Sequence, residues 1–263
     1  MVQRDTPWPA GTPCWVDLGT NDVTRATTFY STLFGWEAQA GGPEAGGYVM
    51  CEVGGRSVAG IGPKMGPPDV PSTWTTYLAT ADADATAGKI TAAGGQLLAE
   101  PFDVTDVGRM CVAADPGGAV FGVWQAHAHS GMQLANEPGA VCWNENMSRA
   151  FEANKAFYQA VFGYQYDDMS SEDFSYATFS TKGTPLGGIG DLGTMAPPET
   201  PAHWMTYFAV GDADEAVEVA TKLGGTVMRP AWDSPYGRMA IIGDDQGAVF
   251  AIMAMEQASG QLH

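Results

Sequence analysis

Two short constellations in this sequence can carry chemistry, and they are one constellation written twice. Trp15-Val16-Asp17 and Trp143-Asn144-Glu145 each place a carboxylate two residues after an indole. Alternate side chains of an extended strand share a face, so acid and indole point the same way. An acid beside an apolar ring has its charged form destabilised and its pKa raised, which suits general acid or base work in Asp17 or Glu145. The same pair can stack a flat ligand and hydrogen-bond its polar end. The plainer alternative is that both acids tie down neighbouring backbone or lie on an open rim. Tyr48 and Tyr176, also repeated, offer hydroxyls to a site or rings to a core. Arg109 and Arg238 each follow a glycine, in a chain with only 12 Lys plus Arg. A repeated arginine can hold a substrate carboxylate or carbonyl; the simpler alternative is an ion pair with Asp115 or Asp244.

Two other motifs are discounted. His127-Ala128-His129 alternates imidazoles but has no convergent third ligand, and it is expected to be a solvated accident of a linker. Gly60-Ile61-Gly62 and Gly188-Ile189-Gly190 open no helix and so are not a dinucleotide fingerprint; they read as closely packed strand ends. Cys14, Cys51, Cys111 and Cys142 show no Cys-x-x-Cys spacing and are expected to be reduced thiols.

The elements that position these residues repeat as well. Cys14 to Thr20 alternates like a strand, and Thr24 to Phe34 has helical spacing, with Asp22 or Thr24 as N-cap and Gly35 as stop. Short strands are predicted over 36–39, 48–53 and 57–61, which makes the unit βαβββ. A Pro-rich bridge, 63–71, leads to a second unit: strand 74–80, a helix capped by Asp82 or Asp84 and running to Ala93, and strands near 96–99, 109–113 and 119–124. Phe29/Phe157, Tyr30/Tyr158 and Gly35/Gly163 are each 128 positions apart, and Gly108-Arg109-Met110 returns as Gly237-Arg238-Met239. The expected organisation is therefore two domains, 12–126 and 140–256, joined by a linker at 127–139.

A strand, an Asp turn, a helix ending Phe-Tyr-x-x-x-Phe-Gly, three strands and a second unit closing on Gly-Ala-Val-Phe together resemble the vicinal oxygen chelate superfamily. This is the family of glyoxalase I, extradiol dioxygenases and bleomycin-resistance proteins. Gly-Arg-Met with Gly-Ala-Val-Phe narrows the resemblance to a two-domain bacterial group labelled glyoxalase-like or hydroxylase-like, among them a mycobacterial antigen. The resemblance implies an α+β fold in which four tandem βαβββ units form two domains with cup-shaped mixed sheets.

It also implies where a divalent metal would be held. One family ligand stands seven residues before the turn Asp, where this chain has Trp15, Thr75, Trp143 and Met205. A ligand Glu belongs on each domain's last strand, where Gly122 and Ala251 stand instead. A metal centre needs about three converging N or O donors, so neither a metal nor another cofactor is expected. With Trp15 facing the cup, parity turns Thr75, Tyr77, Met205 and Tyr207 toward the cups, with His203 one step further out. Trp124 and Met253 share the faces of Gly122 and Ala251, while Trp74, Leu78, Trp204 and Phe208 face the helices. His203 has no counterpart in the first half and reads as a rim or core residue rather than a base.

The expected function is metal-free binding of an aromatic or polyketide-like small molecule. The alternative is a metal-independent isomerase, lyase or hydroxylase-like enzyme working through Asp17 or Glu145, and the third possibility is a metal-dependent glyoxalase or dioxygenase. A formal charge of −18 argues against nucleic acid and anionic membranes, which need basic surfaces. With no signal-like start and no apolar span, the expected location is the cytoplasm. Two fused domains already supply a pairing, so a monomer or a homodimer is expected.

Overall fold

The computed structural model describes residues 2–64, 70–193 and 196–255. Residues 65–69 of the Pro-rich bridge, and the expected end of the second domain at 256, lie outside them. In chain order the first half contains β1 (Val2–Gln3), β2 (Pro13–Thr20), α1 (Val23–Phe34), β3 (Glu37–Ala40), β4 (Val49–Val53), β5 (Arg56–Pro63), β6 (Thr73–Thr80), α2 (Ala83–Ala92), β7 (Gln96–Val104), β8 (Gly108–Ala114) and β9 (Val120–Ala126). The second half contains β10 (Leu134–Ala135), β11 (Val141–Ser148), α3 (Phe151–Phe162), β12 (Gln165–Asp168), β13 (Tyr176–Ser180), β14 (Gly187–Asp191), β15 (His203–Ala209), α4 (Ala213–Lys222), β16 (Thr226–Ser234), β17 (Gly237–Gly243) and β18 (Val249–Ala254).

Local chemistry sets the helix ends. Asp22 and Asp82 accept the N–H groups of Arg25 and Ala85, and Asp212 accepts those of Asp214 and Glu215, satisfying donors that a helix start leaves orphaned. Gly35 and Gly163, at φ +71° and +74°, close α1 and α3 in the left-handed conformation that glycine adopts without penalty. At Ala150, where the Asp is lost, no side chain caps the helix.

Each half forms one eight-stranded mixed sheet, ordered β3-β4-β5-β2-β6-β9-β8-β7 and β12-β13-β14-β11-β15-β18-β17-β16. The pairs β2/β5 and β6/β9 are parallel, as are β11/β14 and β15/β18. The strand expected over 96–99 runs on to Val104. It contains Pro101, and two register shifts on this edge strand take up the missing donor.

Helices from the two halves pair with each other in two separate core clusters. α1 packs beside α4 and α2 beside α3, each pair buried against both sheets. Phe34 from α1 meets Phe208 of the opposite sheet, with ring centroids 4.9 Å apart. Truncating fully buried Phe208 to alanine costs roughly 3–5 kcal/mol on general grounds. The sheets touch back to back where the Thr76 hydroxyl donates to Asn144 Oδ1 over 3.0 Å, which leaves the opposite faces, the cups, free of helices among the described residues.

Two polar chains lock the halves in crossed pairs. Trp204 donates to the Tyr158 hydroxyl, which donates to Asp115 of the other sheet, both over 2.9 Å. Trp74 donates to Tyr30, which donates to Asp244, both over 3.0 Å. Asp115 and Asp244 also collect backbone N–H groups of their own turns. The segment joining the sheets is itself packed: Met132, Leu134 and Ala135 are buried, β10 pairs with β1, and Trp8 donates to the Met132 carbonyl.

Candidate functional site

On each cup face the register of the sheet assembles four side chains. Trp15 on β2 lies opposite Tyr77 on β6, and Asp17 lies opposite Gly60 on the parallel neighbour β5. Tyr48, just before β4, reaches across Gly60. The Trp15 indole donates to the Tyr48 hydroxyl over 2.9 Å; the Tyr77 hydroxyl donates to Asp17 Oδ2 over 3.1 Å, and Tyr48 approaches the same oxygen at 3.5 Å. The second cup repeats this with shorter bonds to its acid. Trp143 donates to Tyr176 over 3.1 Å, Tyr176 to Glu145 Oε1 over 2.6 Å, and Tyr207 to Glu145 Oε2 over 2.8 Å.

The electrostatics follow from enclosure. Burial lifts the Asp17 carboxyl from 3.8 to about 7, partly offset by the hydroxyls of Tyr77 and Tyr48. Burial likewise raises Glu145, offset by Tyr176 and Tyr207. The tyrosines are pushed up by burial and by the adjacent carboxylates, so they remain donors. Each cup therefore holds a carboxyl group whose protonated form burial favours, with hydroxyls positioned to follow its change of charge.

These rings occupy the space a metal ligand would need. A Cβ at Gly122 would lie 2.1 Å from the Tyr77 ring, one at Gly60 1.8 Å from the Tyr48 hydroxyl, and one at Gly188 1.9 Å from the Tyr176 hydroxyl. A glutamate at position 122 and the present Tyr77 exclude each other. Among the described residues, no three His, Cys, Asp or Glu side chains come together as a cation site. The donor set does not fit the divalent ion that the resemblance implies.

The two cups differ in what covers them. An open groove of ≈ 2340 Å³ runs over the second cup, with Trp143, Glu145, Tyr176, Met205, Tyr207 and Met253 in its walls. This exceeds the roughly 300–1,000 Å³ of an ordinary small-molecule pocket, and the groove extends past the cup to Trp8, Thr73 and Trp74 of the first half. None of Trp15, Asp17, Tyr48, Tyr77 or Trp124 lines it. In the first cup His129 corrects the sequence-based expectation of a solvated linker residue. Its ring meets the Trp15 indole edge to face at 4.4 Å and Trp124 at 5.6 Å, and burial lowers its pKa to about 4. Apolar attraction to two indoles, which alternation in an unstructured segment cannot foretell, holds it there.

Several other expectations resolve. Arg109 pairs with Asp84 and Asp103, and Arg238 with Asp214 and Asp233. The ion pairs exist, but not with Asp115 and Asp244, which are turned inward to Tyr158 and Tyr30. A guanidinium saturated by two carboxylates has no free fork for a ligand. Thr75 lies opposite Asp17, and Met205 opposite Glu145. His203 lines the groove, its Nδ1–H donating to the Pro201 carbonyl over 2.9 Å while burial lowers its pKa. Trp232, Tyr236 and Phe174 also line the groove; the strand alternation that marks the cup faces does not reach them, although Trp232 has an aromatic counterpart in Phe102.

A family model, Glyoxalase/Bleomycin resistance protein/Dioxygenase superfamily, matches residues 14–123 and again 147–252. The chain belongs to this superfamily. Among its relatives is a mycobacterial protein named as a candidate glyoxylase, CFP32 of Mycobacterium tuberculosis, 39% identical over 96% of this chain and 98% of that protein. Another is the anthracycline biosynthesis protein DnrV of Streptomyces peucetius, 35% identical over 96% of each chain. Of solved structures, a Mn(II)-bound glyoxalase from Novosphingobium aromaticivorans matches with a TM-score of 0.65 at 16% identity, over 95% of this chain and 84% of that one. At that identity the likeness speaks for the superfamily fold alone. No helix among the described residues is long and apolar enough to cross a membrane.

Proposed function

We propose that the second cup binds a planar, hydroxylated aromatic molecule of polyketide type, without a metal ion. The observation that carries this is the Glu145 carboxyl, held by the Tyr176 and Tyr207 hydroxyls beside the Trp143 indole on the floor of an open groove. An indole offers a face for stacking, and the acid with its two hydroxyls can exchange hydrogen bonds with a phenol or quinone oxygen. Met205, Met239 and Met253 on the walls adapt to flat apolar surfaces. Two superfamily relatives are named for anthracycline biosynthesis, and anthracyclines are aromatic polyketides. The test is a tryptophan-fluorescence titration against a panel of hydroxyanthraquinones and smaller phenols. Saturable quenching that Glu145→Gln weakens supports the proposal, and a featureless response across the panel sinks it.

A second possibility rests on the raised pKa of the same carboxyl. Glu145 would then move a proton to or from the bound ligand in an isomerisation or lyase step, with Tyr176 and Tyr207 holding the carboxyl in place. Loss of turnover in Glu145→Gln with ligand binding retained would favour this enzyme over a carrier.

A further inference from the structure

The two cups carry the same pairing of acid, tyrosines and indole, yet the first holds part of its own chain. The segment after β9 is fixed over it by backbone bonds. The N–H groups of His127 and His129 both donate to the Val107 carbonyl, over 3.1 and 3.0 Å, and the Trp124 indole donates to the His129 carbonyl over 3.0 Å. Gly131, at φ +100°, packs so closely that a Cβ there would lie 2.5 Å from the Cys14 carbonyl oxygen. This geometry sets the His129 ring against two cup-facing indoles at once.

We propose that His129 is an internal ligand of the first cup, standing where a planar aromatic group of a small molecule would pack edge to face against the two indoles. The first cup is thus a latent site for a five-membered heteroaromatic ring, with imidazole as its simplest occupant. Three observations support this assignment. The ring contacts are edge to face, the geometry aromatic pairs favour, which adds to simple burial. His129 Nε2 is buried without a hydrogen-bond partner among the described residues, so the ring is held by shape and aromatic contact rather than by a polar anchor. In the second repeat the position 129 residues on is Ala258, so that copy places no imidazole at the equivalent point of the chain. The inference does not depend on which ligand the second cup takes.

The experiment removes the ring and supplies it in solution. In His129→Gly, free imidazole at millimolar concentration is expected to raise the thermal midpoint and quench tryptophan fluorescence saturably. The wild type, whose place is filled, is expected to show neither effect at the same concentration. A folded His129→Gly protein that shows no response to imidazole would overturn the proposal, as would a wild type that responds equally. Should the variant not fold, reaction of the wild type with diethyl pyrocarbonate decides, followed by peptide mapping. His129 left unmodified in the folded chain, while exposed His127 reacts, supports the internal ligand; modification of His129 at the rate of a free imidazole refutes it.

Discussion

Replacing Asp17 by asparagine tests the electrostatics of the cups most cleanly, because the side chain keeps its shape and an oxygen for Tyr77. Burial raises the Asp17 carboxyl from 3.8 to about 7. Between those values the folded state holds a proton that the unfolded state has released, so wild-type stability falls as pH rises through this window. At about 1.4 kcal/mol per tenfold change in proton affinity, the full penalty is about 4 kcal/mol, of which about 3 kcal/mol develops between pH 5 and pH 8. The amide introduced by Asp17→Asn does not titrate. The stability of Asp17→Asn relative to wild type should therefore increase by about 3 kcal/mol from pH 5 to pH 8, whatever constant cost the amide adds. His129 works in the other direction. Its pKa falls from 6.5 to about 4, so the unfolded state takes up a proton first and stability is lost as pH falls from 6.5 toward 4. In the wild type the two slopes oppose each other, and Asp17→Asn removes the falling contribution of Asp17, while the raised Glu145 carboxyl keeps its own. Urea unfolding at pH 5, 6, 7 and 8, followed by circular dichroism, measures the difference. A difference that stays flat or shrinks as pH rises would refute the reasoning, since Asp17 would then titrate as an ordinary surface carboxylate.

Three further outcomes follow from particular contacts. Tyr158→Phe removes the hydroxyl that donates to Asp115 and accepts from Trp204, leaving buried groups unpaired; urea unfolding should register a loss of about 2 kcal/mol, with the cups unaltered in ligand titrations. Gly188→Ala places a Cβ 1.9 Å from the Tyr176 hydroxyl, so the ring must leave Glu145; the circular dichroism spectrum should be kept while ligand binding falls at least tenfold. Arg238→Gln breaks ion pairs on the outer surface, and the fluorescence titration should give wild-type affinity.

Much of the architecture was legible because it depends on local rules. Asp22 and Gly35 mark the ends of α1 by side-chain capping and by a left-handed glycine, both properties of single residues. Parity placed Asp17 with Trp15, and Glu145 with Trp143, because alternation is built into a strand. What joins them was not legible. Tyr48 and Tyr77 reach Asp17 from other strands, and which strands lie beside β2 is decided by register across the sheet. The repeated glycines were the available signal: Gly60 and Gly188 stand opposite the two acids and are empty of side chain so that a tyrosine can cross. The partners of Asp115 and Asp244, Tyr158 and Tyr30, come from the packing of one half against the other, and nearness in sequence points instead to Arg109 and Arg238. His129 lies in a segment without periodicity, where sequence carries no direction for a side chain.

The most direct test of the central claim is the stoichiometry of aromatic ligand binding by isothermal titration, made on wild type, Asp17→Asn and Glu145→Gln with the best binder from the hydroxyanthraquinone panel. One molecule bound per wild-type chain, with affinity unchanged by Asp17→Asn and weakened at least tenfold by Glu145→Gln, is the predicted result. Two molecules per chain, or a site that responds to Asp17 and not to Glu145, would contradict it.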